Sequence, residues 1–218
     1  GAFTRDALQA QGIDRPITIL PNFVPAAFDA LAPARAPQPR PEFLYVGRVT
    51  ASKGIDRLAE MFRQRPELDL RIVGDGDLLE PLRARMAGVG NVQFAGRLAQ
   101  ADLIGVYRRA TALMLPSLAP ETFGMTTIEA FSQATPAIVR DAGGAGEPVR
   151  ASGGGFVYRS DAEGLAAIDR LARDPALRAE MGLAARRAYE RLYREEDHVA
   201  AYLAQVAAVG AAKARAIA

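Results

Sequence analysis

Phe43-Leu44-Tyr45-Val46-Gly47 is a run of four large apolar residues closed by a glycine, and its reading decides the fold. The run does not alternate with polar residues, so it describes a strand covered on both faces, as in a parallel sheet. A helical stretch follows, with Ile55, Leu58, Ala59 and Phe62 at helical spacing. The same unit recurs along the chain. LRIVG (70–74), VQFAG (92–96), ALMLP (112–116), PAIV (136–139) and GFVY (155–158) are short apolar runs, each followed by a helical stretch. Repeated β/α units of this kind predict an α/β fold: a Rossmann-like, doubly wound, mostly parallel six-stranded sheet with helices on both faces, plus C-terminal helices.

Gly47, Gly74 and Gly96 close three consecutive strands and place flexible backbone at the carboxyl edge of the sheet, where open α/β sheets bind ligands. Ordinary strand-to-helix turns also use glycine. Three such glycines on consecutive strands favour a ligand crevice.

Outside this block the pattern changes. Ala7 to Gln11 suits a helix end, Ile17 to Leu20 (ITIL) a strand, and Pro21 to Pro41 is proline-rich and reads as a linker or hinge. Beyond Asp161 two or three amphipathic helices follow. The last runs from about Asp197 to Ala212 with Val199, Tyr202, Leu203, Val206 and Val209 as an apolar stripe. The expected organisation is therefore residues 1–41 as the end of one domain and an interdomain linker, 42–195 as the Rossmann-like domain, and 196–218 as a C-terminal helix.

Half of the 218 residues are hydrophobic, enough for one sizeable core. The formal charge of +2 gives no field to attract nucleic acid, and none is expected as a partner. The absence of cysteine excludes disulfides and thiolate catalysis and favours a cytoplasmic setting. No apolar run approaches the roughly 18 residues that span a bilayer, although a membrane-peripheral full-length protein stays open. The Ala- and Arg-rich composition suits a bacterial source. The opening Gly1 leads us to expect a fragment.

Two loops hold candidate chemistry. After the fourth strand comes PSLAPETFGMTTIEA (116–130), with Glu121 in the loop and Glu129 one helical turn beyond Met125. Gly124, Met125 and Thr126 supply free backbone N–H groups at the helix start, which favour an anion such as phosphate. A glutamate on that helix is placed to accept from ribose hydroxyls. The alternatives are a helix cap for Glu121 and a solvated face for Glu129. After the first strand comes GRVTASKG (47–54), where Arg48 and Lys53 are placed to neutralise a diphosphate. The alternatives there are Ser52 as a helix cap and Lys53 as a surface charge.

Taken together, Gly47-Arg48 with Lys53-Gly54, Gly74-x-Gly76, Phe94-x-Gly96, Pro116-Ser117, Glu121-x7-Glu129-Ala130 and Gly143-Gly144-x-x-Glu147 resemble glycosyltransferase family 4. These are the retaining group 1 enzymes with two Rossmann-like domains, the GT-B fold. ILPNFV (19–24) resembles the segment entering their second domain. The resemblance implies the donor-binding half of such an enzyme, which binds a nucleoside-diphosphate sugar. It implies that Arg48 and Lys53 stabilise the leaving diphosphate, and that Glu121 orients the sugar. It further implies that Met125 packs near the ribose, Thr126 gives a backbone N–H to phosphate, and Glu129 holds the ribose hydroxyls. Gly96-Arg97 resembles the loop beside the base, though a solvated Arg after a strand is commonplace. No metal and no cofactor are implied. The acceptor would be held by an N-terminal domain missing from this chain.

One departure is Ser132-Gln133-Ala134-Thr135-Pro136, where the family usually has a small residue and glycine before the proline. Asp75-Gly76-Asp77 spells a metal-binding D-x-D, but in a glycine turn Asp77 serves better as an N-cap. Glu195, Glu196, Asp197 and His198 are consecutive and do not converge on one ion, and His198 reads as a surface residue. No P-loop and no G-x-S-x-G elbow is present. The rival readings are a non-catalytic nucleotide-binding module of the same fold, or a nucleotide-sugar epimerase-like or phosphorylase enzyme. The epimerase would need a crevice histidine, and the phosphorylase a well-placed lysine rather than Lys213.

Overall fold

The computed structural model describes residues 1–32 and 40–217, with side chains as far as residue 211. Six strands form one sheet: β1 (Glu42–Val46), β2 (Asp69–Val73), β3 (Val92–Gly96), β4 (Ala112–Leu115), β5 (Ala137–Arg140) and β6 (Gly155–Tyr158). The order is β3-β2-β1-β4-β5-β6, and every pairing is parallel. All six runs picked out from the sequence are strands, offset by at most a residue or two. Their continuous apolar character has its expected cause. Phe43, Leu44, Leu70, Ala112, Leu113, Met114, Ile138 and Val139 are all fully buried, because helices cover both faces of the sheet.

The helices are α1 (Ala2–Ala10), α2 (Ile55–Arg63), α3 (Leu79–Arg85), α4 (Gln100–Arg109), α5 (Met125–Ser132), α6 (Glu147–Ser152), α7 (Asp161–Arg173), α8 (Pro175–Leu192) and α9 (Glu195–Ile217). One apolar cluster holds Phe43, Ile55, Leu58, Phe62 and Ile168. The other holds Leu44, Tyr107, Ile128, Phe131 and Tyr189. Neighbouring residues of one strand, Phe43 and Leu44, thus point into opposite layers. Helix starts follow local chemistry where it exists: Ser160 accepts from the Glu163 N–H to open α7, and Asp174 accepts from the Leu177 N–H just before Pro175.

Ile17–Leu20 is not a strand. It pairs with none of the described strands, and extended backbone without a partner forms no ladder. The proline-rich stretch falls partly on residues 33–39, which lie outside the described residues. Its earlier part is docked on the domain. Val24 and Phe28 are fully buried, and the buried Gln133 amide binds three backbone groups of this stretch. It donates to the Phe28 and Ala30 carbonyls and accepts from the Ala32 N–H. Arg186 and Tyr189 of α8 hold Asp29.

The departure at 132–136 has a structural consequence. Ala134 has φ +55°, the one non-glycine residue in the left-handed region among those described. Helix α9 leaves its apolar stripe in solvent, from Val199 (45 % exposed) to Val209 (69 %).

Candidate active site

The strand order reverses between β1 and β4: the chain runs from β1 outward to β2 and β3, then returns to β4 on the other side. Loops leaving adjacent strands that wind to opposite sides part from each other and open a crevice at the carboxyl edge. The two loops at this switch point are 47–54 and 116–124, the same segments that carry the candidate charges. They are joined through backbone, since the Ser52 carbonyl accepts from the N–H groups of Leu118 and Ala119 at 2.9 and 3.1 Å.

At the junction Lys53 Nζ donates to Glu121 Oε1 at 2.5 Å, with both side chains about a fifth exposed. Lys53 is therefore not a free surface charge. Glu121 is not a helix cap either. Gly124 stands at the cap position of helix α5, its φ of +83° suits glycine, and no side chain caps the helix. Ser52 lies inside a 3-10 turn (Ala51–Lys53) and caps nothing.

Glu121 is also fixed through its backbone. Its N–H donates to the Ala142 carbonyl at 3.0 Å and its carbonyl accepts from Gly144 N–H at 2.6 Å, forming a parallel bridge to Gly143. A Cβ at Gly143 would meet the Glu121 carbonyl oxygen at 2.5 Å. The Gly143-Gly144 pair is therefore a close-approach site that clamps the Glu121 loop.

Helix α5 presents the N–H groups of Met125 and Thr126 at its start, with Met125 exposed and Thr126 half-buried. Thr127 beside them is fully buried, and its hydroxyl has no hydrogen-bond partner. Glu129 is not on a solvated face. Its Oε2 accepts from the Tyr107 hydroxyl of α4 at 2.5 Å. Burial pushes the Glu129 carboxyl above the usual glutamate range, and the Tyr107 hydrogen bond pulls against it.

Four of the remaining candidates, Gly47, Arg48, Gly74 and Arg97, line a cavity of about 540 Å³ at the carboxyl ends of β1, β2 and β3. Gly47, Arg48, Gly74, Asp75, Gly76 and Arg97 give it polar walls, and Val46, Val73, Leu98 and Leu103 give it an apolar floor. Arg48 and Arg97 are exposed and form no ion pair among the described residues. The Arg48 carbonyl accepts from the Tyr45 hydroxyl at 2.5 Å, which ties its loop to the buried face of β1. The Gly96 carbonyl accepts from Gly74 N–H, linking the last two glycine turns. The structure thus gathers the candidates in two adjoining groups: Gly47, Gly74, Arg48 and Arg97 around the cavity, and Lys53 with Glu121 at the switch point beside the start of α5.

Asp77 is not an N-cap. Leu78 stands at that position of α3 without a side-chain bond, and Asp75 turns back to accept from Gly76 N–H. No group of three or more His, Asp or Glu side chains gathers as metal ligands among the described residues. His198 is half-buried rather than a surface residue: its Nδ1 lies 2.7 Å from the Pro21 carbonyl oxygen and its ring packs on Phe23. No helix among the described residues is long and apolar enough to cross a membrane.

Sequence reasoning missed Tyr45 and Tyr107. Their signal was present, because a tyrosine at an otherwise apolar inward position must find a partner for its hydroxyl.

Comparison with known proteins agrees with this fold. The family described as "Glycosyl transferases group 1" matches residues 30–188. The chain is 36 % identical over 180 residues to the glycogen synthase of Mycobacterium tuberculosis, covering 78 % of this chain and 43 % of that protein. It is 34 % identical over 188 residues to the D-inositol 3-phosphate glycosyltransferase of Streptomyces avermitilis, covering 77 % of this chain and 40 % of that protein. The chain thus spans less than half the length of these relatives. Among solved structures, the sucrose-phosphate synthase of Thermosynechococcus elongatus superposes with a TM-score of 0.84 at 25 % identity, over 97 % of this chain and 57 % of that one. HepE of Anabaena in complex with UDP shares the fold, with a TM-score of 0.71 at 22 % identity over 78 % of this chain and 49 % of that one. On the family match and the level of identity, the chain belongs to the group 1 glycosyltransferases.

Proposed function

We propose that this chain is the donor-binding half of a retaining, family 4 glycosyltransferase that takes a nucleoside-diphosphate sugar and works in the cytoplasm. Residues 42–195 form the donor domain, 1–41 lead into it and 196–218 form its C-terminal helix. The observation that carries the reading is that the loops leaving β1 and β4 adjoin at the switch point, one carrying Arg48 on the cavity wall and Lys53 bonded to Glu121, the other leading into the uncapped start of α5. That arrangement suits a diphosphate. The nucleoside goes into the cavity between Gly47, Gly74 and Arg97, with the Glu129 carboxylate on the ribose hydroxyls. As the bond between the sugar's anomeric carbon and the phosphate oxygen breaks, its electron pair stays on the diphosphate. Arg48, Lys53 and the N–H groups of Met125 and Thr126 stabilise that charge without a metal ion. Glu121 orients the sugar, and the acceptor is supplied by the part of the relatives that this chain does not span.

Calorimetric titration of the 218-residue chain with UDP, GDP and ADP tests the reading. Saturable binding of at least one of them, unchanged by a chelator, is the expected result. Binding of none would overturn it, and so would robust sugar transfer by this chain alone.

A further inference from the structure

Tyr107 sits on α4, inside the core, with its ring against Phe28 and its backbone carbonyl held by the Thr135 hydroxyl at 2.7 Å. It is fully buried, so its orientation is fixed by packing. A tyrosine in such a place usually turns its hydroxyl to a backbone carbonyl or to water. This one donates to Oε2 of Glu129 on the neighbouring helix, at 2.5 Å. Glu129 Oε1 accepts no hydrogen bond from the described residues.

Resting on the donor-site reading above, we propose that Tyr107 is a positioning residue that aims Glu129 at the ribose. One carboxylate oxygen is held by the tyrosine, and the carboxylate plane is thereby fixed with the other oxygen left for a hydroxyl of the nucleoside. Without the hydroxyl, a half-buried glutamate midway along a helix is free to rotate about its side-chain torsions, and the geometry needed for a short hydrogen bond is diluted among rotamers. Burial of Tyr107 raises its own pKa well above the usual tyrosine range, with the Glu129 charge adding to the rise, so it remains a donor at any physiological pH. The same bond opposes the upward pull of burial on the Glu129 carboxyl, because a donated hydrogen bond favours the charged form.

The test compares ribose-bearing nucleotides with their 2′,3′-dideoxy forms, using UDP, GDP and ADP as probes. The 218-residue chain should prefer the ribose form, and Glu129→Gln should erase that preference. Tyr107→Phe should weaken binding of the ribose form roughly tenfold while leaving the dideoxy form within about twofold. In the Glu129→Gln background the same tyrosine change should cost nothing, because it acts only through the carboxylate. An unaltered ribose preference in Tyr107→Phe would overturn the proposal. So would equal losses for both forms of nucleotide, which would mark a purely structural tyrosine. If Glu129→Gln itself leaves the preference intact, the fault lies one level down, in the assignment of Glu129 to the ribose, and the positioning role falls with it.

Discussion

Lys53 Nζ and Glu121 Oε1 lie 2.5 Å apart, so the lysine proposed for the diphosphate and the glutamate proposed for the sugar are partners of each other. Read separately from the sequence, they predict that Glu121→Gln leaves binding of free diphosphate nearly unchanged. The pair changes that expectation. Neutralising Glu121 releases Lys53 and removes a negative charge beside the anion. Pairs open to solvent are worth about 0.2–1 kcal/mol, so Glu121→Gln should tighten UDP or GDP binding by up to about fivefold while cutting transfer by the full-length enzyme. Lys53→Ala should weaken the same binding. Calorimetry on both variants decides it, and a looser Glu121→Gln complex would count against the assignment.

Glu129→Gln should behave in the opposite way. Losing a charged acceptor to a bound hydroxyl costs about 1.5–3 kcal/mol, roughly tenfold to a hundredfold in affinity. The pH dependence has a definite sign. Burial raises the Glu129 carboxyl, so as pH falls it takes up its proton before an ordinary glutamate would. Nucleotide affinity should therefore decline on acidification, starting above the normal glutamate range of about 4.3. Stability follows linkage. A raised carboxyl penalises the folded state above its pKa, and the penalty vanishes below the unfolded value. Glu129→Gln should raise the melting temperature at neutral pH and leave it unchanged near pH 3.5.

Gly143→Ala should damage the site without touching a charge. Its φ is +75°, and the new Cβ would press on the Glu121 carbonyl oxygen. The left-handed backbone alone costs about 1–2 kcal/mol in an L-residue. The close contact adds to that by pushing the Glu121 loop away. Thermal melting should fall by several degrees. Transfer by the full-length enzyme should fall further than the loss of folded protein accounts for.

Ala134→Gly should stabilise the chain. Relief of the left-handed alanine at φ +55° gains about 1–2 kcal/mol, and the extra freedom of glycine in the unfolded chain takes back about 0.4–1. The difference predicts a small rise in melting temperature with nucleotide binding unaltered. A fall in melting temperature would mean that the alanine methyl packs well enough to outweigh its backbone.

The six strands were legible because double-sided burial leaves continuous apolar runs. Ile17–Leu20 imitates one, and it misled because strand identity is a property of two segments, while composition reports on one. At the site, residue types and loop positions were legible from spacing at the strand ends. The partners were not. Nothing local in the sequence links Lys53 to Glu121, 68 residues away, or Tyr107 to Glu129 on another helix. Asp77 and Ser52 misled for a simpler reason: α2 and α3 start without side-chain caps, with Gly54 and Leu78 at their cap positions.

Gln133 gives α5 a second duty. The helix is only eight residues long, about 12 Å from end to end. One end carries the N–H groups proposed for the phosphates, and Gln133, just past the other, grips Phe28, Ala30 and Ala32. Arg186 braces the same joint by donating to the Ser132 and Asp29 carbonyls. A short rigid rod with a handle at one end behaves as a lever. Tension in the chain at residues 28–32 is borne directly by the element proposed to face the nucleotide, with no slack loop to absorb it.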